Sequence, residues 1–165
     1  MSFDKLLRPE SVAVVGASSN PSKVGHSVLH NLVRDGYEGA IYPINPKGGE
    51  ILGKTAYASL ADTPGPVDLA VIVVRRESVL GVLDDCRRAS VKAAVVITAG
   101  FKEVGEDGAR LEQEIAELCK KRGVSLLGPN CLGLTNAHHR MNASFAKHMP
   151  EPGGISVTAQ SGALC

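Results

Sequence analysis

The sequence predicts an α/β protein with a doubly wound, Rossmann-like and mostly parallel sheet, sandwiched as the middle of three layers between helices. Short runs of β-branched and small apolar residues alternate with stretches of helical periodicity along the chain. These runs are apolar at nearly every position, which is typical of parallel strands that are covered on both faces. Ligands of such sheets bind beyond the carboxyl ends of the strands, so the residues that follow each strand are the candidates for a site.

The first part of the chain predicts two strands and the helix between them. The run SVAVVG (11–16) predicts the first strand, and residues 23–35 predict a helix whose apolar side chains fall on one face. Gly36 then stands where a helix C-terminal cap belongs. The run AIYPIN (40–45) predicts the second strand.

The next part of the chain repeats this alternation. Three further strands are predicted by DLAVIVV (68–74), KAAVVIT (92–98) and VSLLG (124–128). The segments between them predict helices over 77–89 and about 106–121. Together these segments give a sheet of five strands.

A change of composition near residue 150 predicts a domain boundary. MPEPGG (149–154) has the proline and glycine content of a linker, and ISVTAQSGALC (155–165) begins again as a strand that leads into a small-residue turn. We therefore expect residues 1–150 to form one domain. Residues 151–165 would hold the rest of the linker and the first strand and turn of a truncated second α/β domain.

Composition argues against several classes of function. The formal net charge is +1, there is no tryptophan, and no long basic block is present, which argues against nucleic acid as a partner. The apolar runs stop short of the roughly 20 residues that a membrane span needs, and the N-terminus lacks the apolar segment of a signal peptide. We expect a cytoplasmic protein without a membrane partner. The cysteines at 86, 119, 131 and 165 include no C-x-x-C pair, so we expect reduced thiols and no metal site.

The turn after the first strand has the small residues that an anion site needs. In GASSNPSKVG (16–25), Gly16 permits a tight turn, and Ala17, Ser18 and Ser19 let backbone N–H groups approach an anion near the helix N-terminus. The spacing differs from the dinucleotide pattern G-x-G-x-x-G. An ordinary strand-to-helix turn is the alternative.

The end of the second strand narrows the choice of ligand. An NAD site has an acidic residue there for the ribose hydroxyls, whereas INPKGG (44–49) offers Asn45 and Lys47 and no acid. A cation favours a ribose that carries a phosphate, as in NADP or in coenzyme A. A solvated loop lysine is the alternative here.

Three motifs, each following a strand, resemble a known family. INPKGG, ITAGF (97–101) and GPNCLG (128–133) are similar, in this order, to the coenzyme A-binding domain of the NDP-forming acyl-CoA synthetases, relatives of the succinyl-CoA synthetase α subunit. AQSGAL (159–164) resembles the opening of that family's next domain, where a Ser-Gly turn introduces a phosphate site. The resemblance covers essentially the whole chain.

The resemblance implies a coenzyme A site along the strand ends. Residues 16–19 would cradle the coenzyme A phosphates, Lys23 would approach the same anion, and Asn45 and Lys47 would hold the adenosine ribose and its phosphate. The residues that would border the adenine end are Val73, Val74 and Arg75. The residues that would line the pantetheine path and its thiol end are Thr98, Ala99, Gly100, Asn130 and Cys131.

The resemblance also implies a reaction that this chain alone would not perform. The family converts an acid, coenzyme A and a nucleoside triphosphate to acyl-CoA, NDP and phosphate through an acyl phosphate and a phosphohistidine. That histidine lies in the next domain, and ATP or GTP with Mg²⁺ is bound by an ATP-grasp domain or subunit. No catalytic residue is therefore expected here. His138 and His139 match no catalytic motif, and Cys131 is expected to be a small packing residue.

The acyl group stays open, as does the class of the whole protein. Where the succinate enzyme has Glu after its Ile-Thr pair, this chain has Ala99 and Gly100, as the acetate-type branch does. The alternatives are an NADP-binding domain of an oxidoreductase, a stand-alone coenzyme A-binding or sensing protein, and the regulatory region of a protein acetyltransferase. The sequence beyond Cys165 would separate them.

Overall fold

A computed structural model describes residues 3–160 of the chain. Its helices and strands are, in chain order, α1 (Asp4–Leu7), β1 (Ser11–Val15), α2 (Val24–Arg34), β2 (Ala40–Ile44), β3 (Gly49–Ile51), β4 (Lys54–Ala56), β5 (Leu69–Ile72), α3 (Val79–Arg88), β6 (Ala93–Val96), α4 (Glu106–Arg122), β7 (Ser125–Leu127), β8 (Gly133–Asn136) and β9 (Met141–Ser144). Short 3-10 turns lie at Leu60–Asp62, Arg76–Ser78, Lys102–Val104 and Ala137–His139.

The central sheet has five strands in the order β2-β1-β5-β6-β7, and every neighbouring pair is parallel. In register, Val12 of β1 lies opposite Ile41 on one side and Leu69 on the other. The five expected strands and the three expected long helices are all present. The predicted doubly wound, Rossmann-like fold is therefore confirmed.

The two faces of the sheet bury separate apolar cores. Along β1, Val12 and Val14 join one core, and Ala13 and Val15 join the other. Helix α2 and strand β9 contribute to the first core, and α3 and α4 contribute to the second. The strands β1 and β5 are buried at every position, which explains why their sequences are continuously apolar.

Two antiparallel hairpins were not expected from the sequence. β3 pairs with β4 beside the end of β2, and β8 pairs with β9 over the face that α2 covers. The β8–β9 hairpin is fixed to α2 by Asn31, whose side-chain amide donates to the carbonyl oxygens of Ser144 and Ala146, both at 2.8 Å. The hairpin strands have only three or four residues each, which is too short to show the alternation that identifies a strand.

The strand expected from residue 155 is not formed over residues 155–160. Ile155 and Val157 are 89% and 76% exposed. A strand needs a neighbouring strand for its backbone hydrogen bonds, and no strand within residues 3–160 pairs with this segment. The Ser-Gly turn of AQSGAL, at 161–162, lies outside the described residues. None of the helices within the described range is long and apolar enough to cross a membrane.

Candidate functional site

The candidate site lies beyond the carboxyl ends of the parallel strands, where the strand order reverses. The chain runs from β1 through α2 to β2 on one side of β1, whereas β5 lies on the other side. In open α/β sheets, the crevice at such a point binds ligands. The turns after β1 and β5 meet there, since a Cβ on Gly16 would lie 2.2 Å from the carbonyl oxygen of Val73. Gly16 also has a φ of +93°, so both the space and the backbone require glycine.

The backbone N–H groups of the turn after β1 fall into two sets. Those of Gly16 and Ala17 donate to the carbonyl oxygen of Ile44 at 3.0 and 3.2 Å, which ties the turn to the end of β2. Those of Ser18 and Ser19 have no hydrogen-bond partner within residues 3–160. The turn thus presents two open donors, while Gly16 and Ala17 give it its shape.

Helix α2 adds a second group of open donors next to this turn. No side chain caps its first turn, and that turn contains no acidic residue. Its first N–H groups and the positive end of its dipole are therefore available to an anion. Gly25 brings the helix close to the turn, because a Cβ there would lie 2.0 Å from the carbonyl oxygen of Gly16. Lys23 directly precedes the helix, and its side chain is exposed.

Asn45 links the loop after β2 to the turn after β1. Its Nδ2 donates to the carbonyl oxygen of Ala17 at 2.8 Å, and its Oδ1 accepts the N–H of Lys47 at 2.9 Å. Both ends of the side-chain amide are thus engaged with the protein. The side chain of Lys47 is exposed. Asn45 thus holds the loop in place, and the charged side chain of Lys47 extends from this loop.

The loops after β5 and β6 are joined by a side-chain hydrogen bond. Thr98 Oγ1 donates to the carbonyl oxygen of Val74 at 2.8 Å. The N–H of Val73 donates to the carbonyl oxygen of Val15, which continues the sheet by one bond past its strands. The side chains of Arg75 and Ala99 are exposed.

Gly100 is held on both sides of its backbone by charged side chains. Arg76 Nη1 donates to its carbonyl oxygen at 3.0 Å, and Glu103 Oε1 accepts its N–H at 2.6 Å. This hydrogen bond from Gly100 is the main reason that the pKa of Glu103 lies below its usual range. Arg76 and Glu103 therefore fix the peptide groups of a residue that needs a φ of +104°.

The loop after β7 completes the edge. The N–H of Asn130 donates to the carbonyl oxygen of Thr98 at 3.0 Å, and the thiol of Cys131 donates to that of Val96 at 3.4 Å. Cys131 is half-buried against the first core. Burial raises the pKa of its thiol, so the sulfur stays protonated and weakly nucleophilic. This environment agrees with the expected packing role.

All the residues predicted to form the site therefore lie at one edge of the sheet. Hydrogen bonds and a close backbone contact join the loops that follow the five strands into one framework. The residues that are exposed on this framework are Ser19, Lys23, Lys47, Arg75, Ala99 and Asn130. With these backbone donors and exposed cationic side chains, the framework can hold anions. Among the described residues, no group of three or more His, Cys, Asp or Glu could hold a metal ion.

His138 and His139 lie at the opposite edge of the sheet. Just before them, Asn136 Nδ2 donates to the carbonyl oxygen of Leu7, which precedes β1. Both histidines are exposed and line an open cavity of about 310 Å³ together with Tyr37. They are thus remote from the strand ends where the candidate site lies.

Sequence reasoning missed three residues that shape the candidate site. These are Gly25, Arg76 and Glu103. The signal for Gly25 was present as a second glycine nine residues after Gly16, at the start of a predicted helix. Arg76 and Glu103 gave no comparable signal, because charged residues in polar loops are usually solvated.

The sequence profile of the CoA binding domain matches residues 10–137. The chain is 49% identical over 156 residues to an ADP-forming acetate–CoA ligase of Methanocaldococcus jannaschii, covering 94% of this chain and 22% of that protein. It is 44% identical over 168 residues to the α subunit of ADP-forming acetate–CoA ligase I of Pyrococcus furiosus, covering 99% of this chain and 36% of that subunit.

Solved structures agree with these matches. A protein of Pyrococcus horikoshii OT3 superposes with a TM-score of 0.94 at 42% identity, over 99% of this chain and 37% of that one. A dinucleotide-forming acetyl-coenzyme A synthetase of Candidatus Korarchaeum cryptofilum, in complex with phosphate and ADP, gives a TM-score of 0.86 at 44% identity, over 99% of this chain and 35% of that one. The chain thus spans between 22% and 37% of the length of these relatives.

Proposed function

The chain belongs to the CoA-binding domain family, and from this premise we propose that it supplies the coenzyme A site of an NDP-forming acid–CoA ligase. One observation carries the proposal beyond the family. Open backbone donors at Ser18, Ser19 and the start of α2 lie at the same sheet edge as the exposed cation of Lys47. Coenzyme A carries a pyrophosphate and a separate 3′-phosphate, and this edge offers separate groups for each.

We propose the following roles for residues of this framework. The N–H groups of Ser18 and Ser19 and the first turn of α2 hold the pyrophosphate, and Lys23 contributes a nearby charge. Lys47 pairs with the 3′-phosphate. The residues that border the adenine are Val73, Val74 and Arg75. The residues that line the pantetheine path toward the thiol are Thr98, Ala99, Gly100, Asn130 and Cys131.

The remaining chemistry is assigned to other parts of the enzyme. An acid, coenzyme A and ATP or GTP would give acyl-CoA, NDP and phosphate, with Mg²⁺ accompanying the nucleotide. We place the phosphohistidine in a downstream succinyl-CoA-synthetase-like domain and the nucleotide in an ATP-grasp domain or subunit. The greater length of the curated ligases supports this division. The boundary near residue 150 and a cytoplasmic location are part of the same proposal.

Calorimetric titration of the 165-residue chain with coenzyme A, dephospho-coenzyme A and NADP tests the proposal. We expect coenzyme A to bind about tenfold more tightly than dephospho-coenzyme A, because an exposed cation adds one charge-assisted contact. Lys47→Met should remove this difference. Lys92→Met is the matched control, because Lys92 is an exposed lysine directly before β6 at the other edge of the sheet. This variant should retain the difference in affinity between the two ligands.

Two results would overturn the proposal. Equal affinity of the unaltered chain for coenzyme A and dephospho-coenzyme A would remove the role of Lys47. Tight, saturable binding of NADP with weak binding of coenzyme A would instead favour the oxidoreductase alternative.

The absence of turnover is tested separately. Incubation with γ-labelled ATP or GTP, an acid and coenzyme A should give neither labelled protein nor thioester, because the chain binds a substrate without the groups that stabilise a transition state. Labelling that is lost in the variant His138→Gln/His139→Gln would instead place the catalytic centre at those histidines.

A further inference from the structure

His26 lies in the first turn of α2 and contacts the turn after β1. Its imidazole Nδ1 is 3.0 Å from the carbonyl oxygen of Ser18. A carbonyl oxygen only accepts hydrogen bonds, so Nδ1 must carry a proton and donate it. The ring is half-buried and lies nearly parallel to that of His30, with centroids 6.1 Å apart and 10° between the planes.

This contact determines where the next N–H group points. In a planar trans peptide, the C=O bond and the N–H bond of the following residue point in opposite directions. When His26 holds the carbonyl of Ser18, the N–H of Ser19 is directed away from the imidazole. Ser19 is one of the two turn residues whose N–H has no partner within residues 3–160.

The preceding peptide group is held in a similar way by a second side chain. Asn45 Nδ2 holds the carbonyl of Ala17, so the N–H of Ser18 is directed away from Asn45. Ser18 has the other open N–H group. The two open donors of the turn are thus the two whose preceding carbonyls are engaged by side chains.

We infer that His26 is a positioning residue for the pyrophosphate of coenzyme A, acting through the Ser18 carbonyl on the direction of the Ser19 N–H. The inference rests on the proposed function. The imidazole fixes the direction of a backbone donor of the proposed anion site before the ligand arrives. Loss of the imidazole donor frees the Ser18–Ser19 peptide to rotate, and part of the binding energy is then spent on fixing it.

The test compares three variants at position 26 with one at position 30. His26→Leu removes the donor, and His26→Gln places its amide beyond the position of Nδ1. His26→Asn keeps an N–H donor near the position of Nδ1. His30→Leu is the matched control, because it removes the neighbouring ring and leaves the contact with Ser18 in place. Thermal melts establish that each variant is folded, and calorimetry gives its affinity for coenzyme A and for dephospho-coenzyme A.

We expect His26→Leu and His26→Gln to bind both ligands about threefold to tenfold more weakly, the effect of one net hydrogen bond. The loss should be equal for the two ligands, because both contain the pyrophosphate, whereas Lys47→Met weakens only coenzyme A. His26→Asn should bind within about twofold of the unaltered chain, and so should His30→Leu.

The inference is overturned if His26→Leu and His26→Gln bind as the unaltered chain does. It is also overturned if His26→Asn loses as much affinity as His26→Leu, since that result would indicate packing rather than a donor. If the unaltered chain binds neither ligand, the proposed function fails and the inference fails with it. If the unaltered chain binds coenzyme A and all the variants bind it equally well, the inference about His26 is wrong while the proposed function stands.

Discussion

The contact between Gly25 and Gly16 sets how closely α2 approaches the turn after β1. A Cβ on Gly25 would lie 2.0 Å from the carbonyl oxygen of Gly16, 2.9 Å from its carbonyl carbon and 3.4 Å from Cα of Ala17. All three neighbours are backbone atoms, so no flexible side chain can move aside. Gly25→Ala must therefore displace the helix, the turn or both.

The size of the displacement gives the size of the effect. Cβ contacts below 3.0 Å are essentially never seen, so the backbones must separate by about 1 Å. Forcing an added methyl into a packed site costs typically 1–3 kcal/mol, and alanine returns at most about 1 kcal/mol through its helix propensity. We expect Gly25→Ala to lower the free energy of unfolding by about 1–2 kcal/mol. Coenzyme A binding should weaken by about tenfold or more, because the open donors of the turn and of α2 move apart.

Gly81 provides the matched control. It lies in α3, and a Cβ there would meet no atom within 4 Å. Gly81→Ala should stabilise the chain by up to about 1 kcal/mol and leave coenzyme A affinity unchanged. Urea unfolding followed by circular dichroism measures the stabilities, and calorimetry measures the affinities. If Gly25→Ala were stabilised as much as Gly81→Ala and bound coenzyme A normally, the close packing of α2 on the turn would not be a requirement of the site.

Three further predictions concern titratable groups away from the crevice. Burial raises the pKa of Tyr37, whose hydroxyl donates to a backbone carbonyl, to about 12. The free energy of unfolding should therefore be unaffected by this group below pH 10 and should fall between about pH 10 and 12. Thermal melts of Tyr37→Phe should show a smaller fall over this pH range and a free energy of unfolding about 1–2 kcal/mol lower at pH 7. Burial raises the pKa of Cys86 to about 12 and that of Cys119 to about 11. After iodoacetamide treatment at pH 8, mass spectrometry should find both cysteines unlabelled until urea unfolds the chain. Labelling of either cysteine in the native state would contradict their burial. Hydrogen bonding to Arg34 holds the pKa of Asp35 below its usual range. The free energy of unfolding should therefore fall as the pH drops below about 4. In the same melts, the stability of Asp35→Asn should depend less on pH in this acidic range.

The sequence predicts the central sheet well because burial on both faces leaves a strong mark. Every residue of β5 and β6 is buried, and both segments are continuous apolar runs. The hairpins leave no such mark. In β3 and β4, two of the three residues in each strand are exposed, and in β8 all four are half-buried. Strand β9 is buried at every position, but it contains Asn142 and Ser144 and is therefore not an apolar run. Their pairing depends on tertiary neighbours, such as the bridge between Ile44 and Tyr57 beside β2, which no local pattern encodes.

The sequence predicted which loops meet at the candidate site, but only part of what their side chains contact. Strand ends are identified by their sequence, and glycine and small residues after a strand indicate a close backbone approach. Sequence does not tell whether a side chain faces a ligand or another loop. Asn45 was predicted to hold the adenosine ribose, and its amide is engaged by Ala17 and Lys47. We still predict that Lys47 contacts the ligand directly, and the geometry gives Asn45 a part in placing it.

The strand order explains why Gly16 and Gly25 determine the shape of the candidate site. Because β2 and β5 flank β1 on opposite sides, the chain after β1 must leave toward α2 while the chain after β5 leaves toward α3 on the other face. In open α/β sheets a ligand crevice lies at such a point, and here the turns after β1 and β5 are in contact at Gly16 and Val73. A side chain at position 16 would separate the two turns, whereas glycine lets their backbones meet. The carbonyl group of Gly16 in turn lies against Gly25 at the start of α2. The first turn of α2 and the turn after β1 with its open N–H groups are thereby brought into contact, and such a group of donors suits the anion that we propose for the site.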